Sequence, residues 1–126
     1  LKEAGAKRVL PLNVSGPFHS YLLEEAGQKL GAVLEPVALA EPRMPYVTNV
    51  TAGYVTTAAP VKELLQRQVS SSVRWQQSME QMLADGFDTF VEIGPGRTLA
   101  GFMRKISREA TVYSVENWEQ LEQLPL

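Results

Sequence analysis

The chain has no cysteine, so no disulfide and no thiolate-held metal can form within it, a composition that suits a reducing compartment. It has a single histidine, His19, without a carboxylate cluster beside it, and a zinc site is therefore not expected. Basic residues are not in excess. The 12 Lys and Arg against 14 Asp and Glu leave a formal charge of −2 and no basic stripe to neutralise phosphates, which argues against nucleic acid as a partner. No apolar run approaches the roughly 20 residues of a membrane span, so no membrane is expected and a cytoplasmic protein is the default. There is also no internal repeat and no low-complexity segment. What is present, 44% hydrophobic and 21% charged residues over 126 positions, is the profile of one globular domain or a large piece of one.

Leu1 to Gly5 reads as the last turn of a helix with Gly5 at C′, which leads us to expect a fragment of a longer chain. Lys7 to Val14 carries Val9, Leu10, Leu12 and Val14 around Pro11, the pattern of a strand at an edge or interrupted at the proline. From Ser20 the period changes to that of a helix. Leu22, Leu23, Ala26, Leu30, Val33 and Leu34 share a face, Ser20 is placed to cap, and Glu24 and Glu25 complement the dipole of the first turn. Pro36 ends this helix and Glu41 to Pro45 is a stiff loop. Tyr46 to Val50 and Tyr54 to Thr56 read as short strands about a Gly53 turn.

Pro60 opens a second helix whose inner face is Val61, Leu64, Leu65, Gln68 and Val69. A third, capped within Ser70-Ser71-Ser72, carries Trp75, Met79, Met82 and Leu83 and stops at Gly86. Phe87 to Ile93 is a buried strand. Gly94-Pro95-Gly96 turns it into a fourth helix with Leu99, Phe102, Met103 and Ile106 on one face, Thr111 to Val115 is a further strand, and a weak helical pattern surrounds Trp118 and Leu121. Helices alternating with short apolar strands predict an α/β fold with a mainly parallel sheet. Two or three parallel strands make a poor sheet alone, so further strands are expected from elsewhere.

A lone histidine is commonly structural. Three features give His19 a chemical reading: it lies at a strand end, it precedes a helix, and Gly16-Pro17 fix its approach. The positive end of the helix dipole disfavours a cationic ring, and a neutral, oriented imidazole is what a general base requires. A nucleophile to match it is missing. No Gly-x-Ser-x-Gly elbow occurs, and Ser15 and Ser20 are too close in sequence to form a usual dyad with His19. Gly94-Pro95-Gly96 superficially resembles a phosphate loop, but it lacks the lysine and hydroxyl of a P-loop and the third glycine of a dinucleotide fingerprint, leaving a tight turn as the better reading and anion binding as the lesser. Arg97, Arg104, Lys105 and Arg108 around the fourth helix are either a docking patch or a solvated face.

Leu10 to Ser20 (LPLNVSGPFHS), Pro45 to Thr51 (PYVTNVT), Gln68 with Ser72 to Trp75 (SVRW), and Val91 to Leu99 (VEIGPGRTL) together resemble the C-terminal part of the malonyl-CoA:acyl carrier protein transacylases. The resemblance covers nearly the whole chain. It implies the C-terminal part of an α/β-hydrolase-like large subdomain, residues 14–126, with the last strand of a ferredoxin-like small subdomain in residues 1–13. It implies an acyltransferase that moves a malonyl group from malonyl-CoA to the phosphopantetheine thiol of acyl carrier protein through an acyl-serine, in fatty acid biosynthesis. Its partners are then malonyl-CoA, acyl carrier protein and the N-terminal remainder of the same enzyme, and no cofactor or metal is implied, since the exchange is thioester for thioester. His19 matches the family's catalytic histidine and Gln68 the position whose main-chain carbonyl orients that ring. Phe18 is similar to the residue that limits the substrate's α-substituent, and is otherwise a buried hinge aromatic. Asn49, at a strand end, is read as substrate-binding or as a turn former.

The family's serine, its oxyanion-hole glutamine region and its carboxylate-binding arginine have no counterpart in these residues, so the 126-residue chain alone is expected to be inactive. Two alternatives remain open, a fragment of a polyketide synthase acyltransferase domain and a non-catalytic module that docks acyl carrier protein.

Overall fold

The computed structural model describes residues 3–11 and 13–125. A 3-10 turn at Tyr21–Leu23 leads into α1 (Glu24–Leu34), followed by β1 (Tyr46–Val47), β2 (Tyr54–Val55), α2 (Val61–Gln68), α3 (Trp75–Ala84), β3 (Thr89–Ile93), α4 (Thr98–Ile106), β4 (Thr111–Val115) and α5 (Trp118–Glu122). Strands β1 and β2 form an antiparallel hairpin, with Tyr46 opposite Val55. Strands β3 and β4 are parallel, from Thr89 opposite Thr111 to Ile93 opposite Val115, with α4 as the crossover. The α/β class holds. Among the described residues the sheet is smaller than predicted, one parallel pair and one separate hairpin.

Several elements depart from expectation for identifiable reasons. No strand forms in the described residues between Lys7 and Val14 (Leu12 lies outside them), because nothing pairs with that stretch, and Leu10 and Val14 remain exposed. Of the helix end read at Leu1 to Gly5, Leu1 and Lys2 lie outside the described residues, and Gly5 has the left-handed φ of +87° expected at C′. Strand β1 stops at Val47 because the chain folds back at once, with Thr48 N–H donating to Gly53 O at 3.1 Å and Ala52 N–H to Thr48 O at 2.9 Å. Helix α3 starts at Trp75, without a serine cap. Arg74 takes the N-cap position, its N–H donating to Asn49 O at 2.9 Å.

The face that α1 buries differs from the predicted one. Leu22 and Val33 are 63% and 69% exposed, whereas Leu23, Leu30, Gly31 and Leu34 are half-buried and Gly27 is buried. Of these, Gly27 and Gly31 face α2, where a Cβ on either would meet Gln66. Leu65, assigned to the inner face of α2, is likewise partly exposed.

The buried apolar set is small: Val50, Val55, Met79, Ala100, Met103 and Val115. A compact chain of 13.9 kDa exposes about 6,700 Å², and this one exposes 9863 Å². The surplus includes apolar side chains, Ile93 at 78% exposure among them. No helix among the described residues is long and apolar enough to cross a membrane.

Candidate active site

His19 lies in a tight turn that its neighbours close. Ser20 sits at the start of the 3-10 turn, but its hydroxyl makes no cap bond and instead donates back to Pro17 O at 2.7 Å. Within this turn His19 has φ +59°, the left-handed region that L-residues seldom occupy.

The ring reaches α2. Nδ1 of His19 is 2.9 Å from the main-chain oxygen of Gln68, 49 positions along the chain. A carbonyl can only accept, so Nδ1 carries the proton and donates it, and Nε2 keeps its lone pair. The Gln68 amide nitrogen lies 3.5 Å from the same Nδ1, which being protonated cannot accept from it. The amide's partner is Ser71 O at 3.1 Å, a bond that ties the turn after α2 to the residue presenting the carbonyl. The main-chain oxygen of Ser71 thus ties down the end of α2, and no serine side chain caps α3.

Gln68 and Asn49 line one pocket of about 170 Å³, with Tyr46, Val47, Leu64 and Leu65 supplying apolar wall. Asn49 is in the turn beyond β1 and is exposed, with its carbonyl engaged by Arg74. His19, Gln68 and Asn49 are therefore brought together through Gln68. Phe18 does not line this pocket. At 64% exposure it is not a buried hinge, and a Cβ on Gly16 would lie 3.3 Å from its ring. Among the described residues no serine hydroxyl is hydrogen-bonded to the imidazole, and no group of three or more His, Asp or Glu could hold a metal ion.

The Gly94-Pro95-Gly96 turn answers the anion question. Both glycines have positive φ, +137° and +87°. The first free amides of α4 are occupied by the chain's own carboxylate: Glu92 accepts from Leu99 N–H at 3.0 Å and from Ala100 N–H at 2.9 Å, one through each oxygen. An intramolecular anion already fills the place where a phosphate would sit. Glu92 was not singled out in the sequence, although an acidic residue inside an apolar strand just before a Gly-Pro-Gly turn was its visible signal.

The basic residues around α4 divide. Arg97 lies 4.0 Å from Glu116, Lys105 stands 5.9 Å over the Phe102 ring, and Arg104 and Arg108 line an open cavity of about 480 Å³ with Ser107.

No family model matches the chain. It is 42% identical over 121 residues to the malonyl CoA-acyl carrier protein transacylase of Bacillus subtilis (strain 168), covering 96% of this chain and 38% of that protein. A crystal structure of MCAT from Streptococcus pneumoniae superposes with a TM-score of 0.89 at 43% identity, over 96% of this chain and 39% of that one. A malonyl-transacylase solved in complex with its type II PKS acyl-carrier protein in the holo form matches with a TM-score of 0.89 at 37% identity, again over 96% of this chain and 39% of the other. The chain spans about two-fifths of the length of the proteins it matches. Along nearly all of its own length, the chain is a relative of the malonyl CoA-acyl carrier protein transacylases.

Proposed function

We propose that the chain contributes the histidine side of a malonyl-CoA:acyl carrier protein transacylase site. The observation that carries this reading is the His19–Gln68 bond, which leaves Nε2 as an oriented proton acceptor in a chain whose relatives bear that name. In the reaction, a serine hydroxyl attacks the malonyl thioester carbonyl and its proton passes to Nε2 of His19. The tetrahedral intermediate collapses, the C–S bond breaks, and the departing CoA sulfur takes that proton. The carrier's phosphopantetheine thiol then gives a proton to Nε2, attacks the acyl-serine, and the serine oxygen leaves and recovers it. Gln68 holds the tautomer through its carbonyl. Asn49 contributes to substrate binding through the pocket it shares with Gln68. Phe18 restricts the α-substituent, with one methyl worth about 1–3 kcal/mol.

On this reading residues 14–126 are part of the α/β-hydrolase-like subdomain and residues 1–13 the end of the ferredoxin-like one. The serine and the arginine that meets the malonyl carboxylate come from the remainder of the enzyme, which also covers the surplus apolar surface. Arg104 and Arg108 face acyl carrier protein.

The test is a malonyl transfer assay. The purified 126-residue chain should show no turnover above background, and turnover would remove the need for an outside nucleophile. A chimera joining it to the portion of the Bacillus subtilis relative outside the match should transfer malonyl, and its His19→Ala variant should lose the burst of malonyl-enzyme. An undiminished burst would dismiss His19 as the base.

A second reading of the carrier rests on the complexed neighbour: the acceptor is a polyketide carrier protein. Relative transfer rates to fatty-acid and polyketide carriers decide between them.

A further inference from the structure

The bond between His19 and Gln68 joins the start of one helix to the end of another, so it depends on how closely α1 and α2 approach. Glycine governs that approach. A Cβ placed on the buried Gly27 would lie 2.9 Å from the main-chain oxygen of Gln66 and 3.6 Å from Cβ of Val69. Gln66 and Val69 flank Gln68 in sequence, so the contact brackets the residue whose carbonyl holds the imidazole. Because the nearest atom belongs to the backbone, no rotamer change would relieve it. One turn on, a Cβ at Gly31 would meet the side-chain amide of Gln66, which can swing away. The two glycines have the same spacing on α1 and different consequences.

We propose that Gly27 is a positioning residue for His19: its missing side chain sets the α1–α2 separation at which Nδ1 meets the Gln68 carbonyl. The geometric part stands by itself, and the catalytic consequence rests on His19 being the base. Sequence alone hides this, because glycine inside a helix reads as a weak point rather than a contact.

His19 is the only histidine in the chain, so its ring nitrogens can be assigned by NMR without ambiguity. The 126-residue chain should show an Nδ1-protonated ring with an exchange-protected N–H. Gly31→Ala should leave both unchanged, Gly27→Ala should weaken the protection, and Gly27→Leu should abolish it and release the ring to the Nε2-protonated tautomer. A Gly27→Leu chain that keeps the wild-type tautomer and protection would overturn the proposal. If Gly27→Leu does not fold, Gly27→Ala carries the test, since alanine favours the helix and any loss of protection is then not a loss of α1; full protection there would overturn the proposal equally.

In the chimera, Gly27→Leu should lower kcat about 10²-fold, as expected for a misplaced base, with KM for malonyl-CoA little changed. Loss of the ring bond with acylation intact would leave Gly27's placement of the ring standing and sink the base reading instead.

Discussion

Between Thr89 and Val115 the chain pairs two strands and caps the helix that joins them, whereas between His19 and Gln68 the ring is held by one bond across 49 positions, beside a Lys62 Nζ to Glu35 O bond and a helix contact lined with glycine on the α1 side. The β3–α4–β4 unit pairs its own strands and caps its own helix with Glu92. The α1–α2 region holds His19 in a left-handed turn and leaves Leu22, Val33 and Phe18 exposed. The first region is built to persist and the second to present a group. Local closure gives stability that survives changes elsewhere, while a long-range bond gives placement that a single methyl group can disturb.

The largest effect expected from breaking this contrast is on chemistry. His19→Ala in the chimera should reduce serine acylation by about 10²–10⁴-fold, as loss of a general base does, while shifting the urea midpoint of the isolated chain little, because the side chain is exposed. A comparable fall in stability would mean that the two regions are not divided as described.

Next comes the opposite perturbation. Glu92→Ala removes both acceptors from the start of α4 and should cost about 2 kcal/mol in denaturant unfolding, with Glu92→Gln recovering part of it. The Nδ1–H signal of His19 should survive either change, and its loss would show that the regions are coupled. Gln68→Ala keeps the carbonyl and deletes only the amide that holds Ser71 O, so it should cost about 1 kcal/mol or less and broaden the ring signal without removing it.

The smallest effect concerns Asp85 after α3. Its carboxyl is held below the ordinary carboxylate value of about 3.9, first by the Gln81 amide and then by the Tyr54 hydroxyl. A lowered folded value contributes stability that is present above that ordinary value and lost as pH falls through the folded one. Asp85→Asn should therefore flatten the acid limb of a stability profile slightly. An unchanged limb below pH of about 4 would deny the contact any role.

What could be read in the sequence follows the same division. Thr111 to Val115 was predicted with the bounds it has, and Gly94-Pro95-Gly96 as a turn between strand and helix, because β-branched runs and glycines with positive φ act locally. Lys7 to Val14 has an equally good strand pattern, and its described residues form none, since a strand needs a partner and pattern does not say whether one is present. The predicted α1 face missed Gly27 because apolar periodicity counts large side chains and the contact uses their absence. The role of Gln68 is legible only by resemblance, because a carbonyl's position leaves no mark on its residue's identity. Ser20 and the serines at 70–72 carry the caps that serine favours in sequence, yet the Ser20 hydroxyl turns back to Pro17 O and α3 takes Arg74 at its N-cap, while Ser71 takes part through its main-chain oxygen, which any residue would supply.

The left-handed backbone at His19 places two demands on one position that different residues would satisfy best. Glycine or asparagine would occupy that φ more readily, and His19→Gly should relieve about 1 kcal/mol of strain. Folding alone therefore gives no preference for histidine over glycine at this position. On the proposed reading, a change to glycine or asparagine here would ease the backbone and remove the proton acceptor together, with no change in fold to announce it.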